Sequence, residues 1–318
     1  MKIIDLHCDT IERLYSSKAT SLRNNSFHID VKKLKRGNSL AQFFAVFLHL
    51  EEIRKKGKGP LQVALEMMDL FHAEVQKNSE NLAFAGSFED ITKNQENNKI
   101  SAILTIEEGA VLEGNLDNLK LLYDKGVRLI TLTWNYPNEI GFPHWDEAFK
   151  DKGLTPFGIE VVEEMNRLGI LIDVSHLSDG GFYNVAKVTK KPFIASHSNA
   201  REATPHSRNL TDDMIRILAE KGGVMGINFC GNFLNRDVHD GNSRVEDMVR
   251  HIQHIHKVGG IDVIALGSDF DGINSIMEIK DFGEIGLLVK ALERKGFNIN
   301  QLEKICHGNA LRVIKDVL

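Results

Sequence analysis

The chain has 318 residues, of which 42% are hydrophobic and 26% charged, so it is long and apolar enough for a sizeable core and does not read as disordered. Lys and Arg number 39 against 44 Asp and Glu, a formal net charge of -5 that argues against general nucleic-acid binding, which needs a basic face. The 3 cysteines (Cys8, Cys230 and Cys306) form no CxxC pair and so neither a disulfide framework nor a thiolate zinc site, whereas 13 histidines make imidazole the metal-capable group to follow.

Short apolar, often β-branched runs predict strands over residues 3–9, 41–50, 102–107, 128–134, 171–176, 192–197, 224–229 and 263–269. Several are almost continuously apolar, as parallel strands covered on both faces must be. Amphipathic stretches lie between them. Residues 116–125 and 156–168 space their apolar side chains as helices do, with Gly126 and Gly169 just past the ends. Thr211-Asp212-Asp213 opens another helix with capping residue types, and Gly222-Gly223 closes it. Residues 89–99 are polar and read as surface helix or loop. Eight strands with interleaved helices most simply make a (β/α)8 barrel. A doubly wound open sheet is the alternative, but nucleotide binding there calls for a GxGxxG or Walker A loop, and the chain has neither. At roughly 150 residues per domain the length suggests two domains. No linker, repeat or low-complexity tract divides the chain, so residues 1–318 read as one catalytic barrel.

The N-terminus has one lysine before His7 and too short an apolar stretch for a signal sequence; no run approaches the roughly 18 apolar residues of a membrane span. The C-terminal residues 312–318 hold no lipidation cysteine. A cytoplasmic location and no membrane partner are the expectation.

The chemistry falls where the apolar runs stop. Residues two apart on a strand point the same way, so His7 and Asp9 project together at the end of the first run. The run at 102–107 ends in Glu107-Glu108-Gly109, those at 171–176 and 192–197 end in His176 and His197, and the last ends in Asp269-Phe270-Asp271-Gly272. Any one of these is unremarkable, but the set recurs at separate strand ends, where a barrel builds its active site. Asp271 reads as a turn residue ahead of Gly272. His251 and His254 share helical spacing with no strand end beside them and read as structural, as do His28, His49, His72, His206, His239, His256 and His307. Cys8, between His7 and Asp9, points to the opposite side of its strand and reads as a buried thiol.

These segments resemble the renal (membrane) dipeptidase family of the amidohydrolase superfamily, in its bacterial form. The likeness is carried by Asp5-Leu6-His7-Cys8-Asp9-Thr10, by Ile106-Glu107-Glu108-Gly109, and by residues 163–176 (EEMNRLGILIDVSH), 194–209 (IASHSNAREATPHSRN) and 267–272 (GSDFDG), in the family's order. The resemblance implies a (β/α)8 barrel carrying two zinc ions, with Mn2+ or Co2+ as substitutes. Carried over by motif, His7 and Asp9 hold the first metal, and His176 and His197 hold the second. A glutamate bridges both: counting forward from the strand selects Glu107, counting back from the glycine of the family pattern selects Glu108, and Glu107 is preferred because it closes the strand directly. Imidazole and carboxylate suit zinc, and a bridging carboxylate helps to hold two cations roughly 3.5–4 Å apart.

The activity implied is hydrolysis of dipeptides, including those with a D-residue on the C-terminal side, by a metal-bridging hydroxide. Glu107 and Asp269 are the expected catalytic residues, Asp269 moving the proton from water to the leaving amine. Arg208, in His206-Ser207-Arg208-Asn209, matches the arginine that binds the substrate carboxylate, with Arg201 as a competitor lacking the following asparagine. One position departs from the pattern. Several family members carry a histidine after the Thr-Leu-Thr strand to stabilise the oxyanion, and here Trp134 follows Thr131-Leu132-Thr133. Its indole donates one hydrogen bond without charge, so Trp134 shapes the pocket, or Asn135 or His144 supplies the donor. The rival readings are another amidohydrolase acting on a different amide, ester or lactone, and a non-catalytic metal- or ligand-binding barrel. Many two-metal relatives bridge with a carboxylated lysine, which the glutamate here disfavours. Barrel enzymes of this kind often dimerise, so a homodimer is a further expectation.

Overall fold

The computed structural model describes residues 1–17 and 21–318. Eight parallel strands close on themselves: β1 (Ile3–Asp5), β2 (Ser39–Phe47), β3 (Ile100–Glu107), β4 (Val127–Thr131), β5 (Leu171–Asp173), β6 (Ile194–Ala195), β7 (Val224–Ile227) and β8 (Ile264–Leu266). Each pairs with the next, β8 returns to β1, and β2 runs against β3 in unbroken register from Ala41↔Ser101 to Phe47↔Glu107. Each run of the sequence prediction overlaps one of these strands. The sequence missed the short strand Leu82–Phe84, which pairs with the start of β3, and the 18-residue helix Pro60–Lys77.

The helices form where the residue pattern asks for them. Thr155 caps Pro156–Leu168 by accepting from the Gly158 amide, and Gly169 ends it in the left-handed region at φ 77°. Thr211 caps Asp212–Glu220 in the same way through the Met214 amide. The polar stretch at 89–99 lies largely within a helix, Phe88–Glu96, capped by Ser87.

Two apolar layers hold the barrel. The larger lies between the strands and the helices outside them. In the smaller, Ile4, Phe43, Ile103, Leu129, Leu171, Ile194, Val224 and Ala265 come one from each strand, so it fills the barrel itself. The C-terminal helix Asn309–Val317 adds Ala310, Val313, Ile314 and Val317, at helical spacing, and closes the end where the strands begin. The opposite end stays open, and it is there that the strand-end residues gather.

The barrel is narrow at β6–β8. A Cβ on Gly226 would lie 2.0 Å from the Ser196 carbonyl oxygen, and one on Gly267 only 1.8 Å from the same atom. Gly267→Ala therefore forces backbone apart rather than a mobile side chain, and it should cost about 1–3 kcal/mol. Urea unfolding measures this, and an unchanged midpoint would show that the wall can spread to admit the methyl group.

Candidate metal centre at the barrel mouth

Four of the five polar strand ends lie beyond the regular ladder; only Glu107 is still within its strand. The sequence places His176 and Asp269 in strands, but β5 ends at Asp173 and β8 at Leu266. Both residues sit in the left-handed region, His176 at φ 68° and Asp269 at φ 62°. A side chain there costs on the order of 1–3 kcal/mol, so the surrounding contacts must hold it. His197 stands two residues past the end of β6, Glu107 is the last residue of β3, and beyond β1 the chain stays bound as the Asp9 amide donates to the Phe270 carbonyl at 2.9 Å.

Glu107 is the centre of the arrangement. Its Oε2 lies 3.3 Å from His7 Nε2, which is also 3.3 Å from Asp9 Oδ2. Its Oε1 lies 3.0 Å from His176 Nε2 and 3.6 Å from His197 Nε2. Two groups thus share one glutamate: His7, Asp9 and Glu107, and Glu107, His176 and His197. Asp269 converges with His7 and His197 in a third, its Oδ1 3.9 Å from His7 Nε2. Glu108 faces elsewhere, its Oε2 accepting from the Trp134 amide at 2.8 Å. Burial pushes its carboxyl up to about 8, partly offset by that hydrogen bond, so near neutral pH it is largely uncharged. Gly272 keeps the approach open: a Cβ there would stand 2.1 Å from Asp9 Oδ2 and 2.6 Å from Asp269 Oδ1.

The hydrogen bonds behind the imidazoles decide what their front nitrogens offer. Asp173, buried at the end of β5, accepts from the Ser196 hydroxyl at 2.6 Å and from the Ser196 and Ser175 amides. With its proton given to Asp173, the Ser196 oxygen is left to accept from His197 Nδ1 at 2.7 Å. Asn135 Oδ1 takes the Nδ1 proton of His176 at 3.0 Å. Burial keeps both rings neutral, His176 titrating near 4 and His197 well below its ordinary range. Both Nε2 atoms therefore present lone pairs, 3.1 Å apart, toward the same carboxylate oxygen.

Lone pairs facing a carboxylate with no proton between them fit a cation. So do the orphans: His7 Nε2, Asp9 Oδ1 and Glu107 Oε1 are buried with no hydrogen-bond partner among the described residues. Burial alone would depress His7, but the Asp9 and Glu107 carboxylates outweigh it and raise the imidazole well above its ordinary value. The same point thus draws positive charge by any available route. Burial also raises Asp9 to about 6 and Asp269 to about 7, each restrained by His7.

Around the centre opens a cleft of about 580 Å3, lined among others by Trp134, Phe47, His49, Phe233 and Asp269. Trp134 stands on its wall, edge-on to Phe47 with ring centres 5.0 Å apart. Arg208 lies behind Phe233, its guanidinium carbon 5.6 Å from that ring. It is buried, donating to Ser198 Oγ and the His197 carbonyl at 3.1 and 3.2 Å, with Nε left without a partner among the described residues. Arg201 turns away into a two-pronged pair with Asp179. His144 Nδ1 pairs with Ser207 Oγ at 2.8 Å. Asp271 is occupied by Thr10 and His28, and His251 is wholly buried between the Ala200 amide and the Leu234 carbonyl. Sequence reasoning overlooked Asn228, which donates to Asp269 Oδ2 at 2.8 Å. The signal was present, because Asn228 is a polar residue inside the run at 224–229.

Comparison with known proteins gives the family. The family model for membrane dipeptidase (peptidase family M19) matches residues 1–318. An uncharacterized dipeptidase of Schizosaccharomyces pombe is 33% identical over 335 residues, covering 99% of this chain and 80% of that one. A crystal structure of a Rhodobacter sphaeroides metallopeptidase, liganded with a phosphinate mimic of the dipeptide L-Ala-D-Ala, superposes with a TM-score of 0.92 at 25% identity over 100% of this chain and 99% of the other. That of the dipeptidase AC gives 0.90 at 26% identity over 100% and 98%. With a whole-length family match and a relative of this closeness, the chain belongs to the membrane dipeptidase family, peptidase family M19.

Proposed function

We propose that this dipeptidase works with two divalent cations, zinc by the chemistry of the donors, one held by His7, Asp9 and Glu107 and the other by Glu107, His176 and His197. The observation that carries the reading is the division of Glu107, whose two oxygens face two different sets of ligands. Bound there, the cations supply Lewis acidity to the scissile carbonyl and an acidified water near neutral pH.

The remaining work falls to the chain itself. Asp269 has one oxygen among the ligands and the other tied to Asn228, so it can accept a proton from water and pass it to the leaving amine. Its carboxyl, raised to about 7 by burial, can be either acid or base near neutral pH. Arg208, with an unpartnered Nε beside the cleft wall, serves as the anchor for the substrate's free carboxylate. Trp134 and Phe47 form the apolar wall against which a side chain packs. The L-Ala-D-Ala mimic on the Rhodobacter sphaeroides enzyme supports a dipeptide substrate here, D-configured at its C-terminal residue included.

Elemental analysis of the zinc-reconstituted protein should find two ions per chain. Glu107→Gln should lose both and Glu108→Gln should keep them; the opposite pattern would move the bridge to Glu108. Asp269→Asn should retain metal while kcat falls by on the order of 100- to 10,000-fold, and full activity would remove it from the proton path. Arg208→Met should raise KM for a dipeptide by on the order of 10- to 100-fold, and much less for the corresponding dipeptide amide. An equal rise for both substrates would show that the guanidinium does not hold the carboxylate.

A further inference from the structure

Asp269 is held by a residue that carries no charge. Asn228 follows β7 directly and is wholly buried. Its side-chain amide gives one N–H to Asp269 Oδ2 at 2.8 Å and the other to the His197 carbonyl at 3.2 Å, while its own Oδ1 accepts from the Cys230 amide at 2.7 Å. Both donors are thus used, and the flipped amide would set an oxygen against a carboxylate and a carbonyl. A reciprocal pair with Asn199 fixes the backbone: the Asn228 amide donates to Asn199 Oδ1, and Asn199 Nδ2 donates to the Asn228 carbonyl, each at 3.0 Å.

The two oxygens of Asp269 are therefore unequal. Oδ2 is engaged by Asn228, whereas Oδ1 faces the ligands, 3.9 Å from His7 Nε2, beside the space that Gly272 leaves open. The left-handed backbone at φ 62° would not by itself choose between them, because the carboxylate can still turn about its terminal bond.

We propose that Asn228 is a positioning residue for hydrolysis, locking the Asp269 carboxylate so that Oδ1 alone meets the reacting bond. The inference rests on the shuttle role assigned to Asp269. As the water oxygen bonds to the carbonyl carbon, Oδ1 takes the proton released. As the C–N bond breaks, Oδ1 returns that proton to the amine nitrogen, and the carboxylate ends as it began. A proton on Oδ2 would instead confront an N–H donor and forfeit a charge-assisted hydrogen bond.

The test uses the metal-loaded enzyme with Asn228→Ser and Asn228→Ala, each of which withdraws the side-chain amide from Asp269. Each is made on the native and the Asp269→Asn backgrounds, and kcat, KM and metal content are measured on a dipeptide. On the native background kcat should fall on the order of 10- to 100-fold, with KM and metal content within about twofold of native. On the Asp269→Asn background the residual rate should change by less than about twofold, because the orientation no longer matters. An equal loss on both backgrounds, a change confined to KM, or loss of bound metal from both variants would overturn the inference. An active Asp269→Asn enzyme would instead remove the shuttle role, whereas an inactive one with unchanged Asn228 variants would leave that role standing and remove only the positioning.

Discussion

Everything at the barrel mouth depends on the sharing of one buried carboxylate. Glu107 stands within 3.6 Å of three imidazoles, and Asp9 and Asp269 bring two more carboxylates into the same volume. Burying such groups without compensation is unfavourable by several kcal/mol each. The compensation cannot come from the histidines alone, because two of the three are held neutral and turn lone pairs inward. The fold thus builds a demand for positive charge and surrounds it with donors already oriented to receive it.

That orientation is made one layer deeper. Asp173 takes the Ser196 proton, and Asp5 accepts from the Ser268 amide and hydroxyl at 2.7 Å and from the Gln42 side chain at 3.0 Å. Each carboxylate ties together strands that are distant in sequence and adjacent in the barrel. Together they bind the interior of β2 to the ends of β1, β5, β6 and β8, so the side chains at the barrel mouth stand on a cross-linked floor rather than on free loops. Close packing of Gly226 and Gly267 against the Ser196 carbonyl holds that floor together at β6–β8.

The strands were legible because parallel strands covered on both faces are written as continuous apolar runs. The site was legible because a charged residue at the end of such a run stands out against it, as His7, Glu107, His176, His197 and Asp269 all do. What stayed hidden depends on contacts between residues far apart in the chain. Nothing in the local pattern around His176 announces a left-handed backbone, and nothing around Ser196 announces a hydroxyl caught between Asp173 and His197. The choice between Glu107 and Glu108 was open for the same reason, since adjacent residues with identical side chains differ only in where the folded backbone aims them. Arg208 is a milder case: the motif selects it over Arg201, but not its burial behind Phe233.

The carbonyl of His197 accepts from both Arg208 and Asn228. Three elements that would otherwise drift independently (an imidazole at the centre, the guanidinium and the amide that grips Asp269) are therefore fastened to a single peptide unit. Thermal displacement of that unit carries all three in the same direction, so their mutual spacing fluctuates less than the position of any one of them. A common anchor of this kind protects relative geometry even where absolute position is loose, and relative geometry is what a substrate spanning all three would sense.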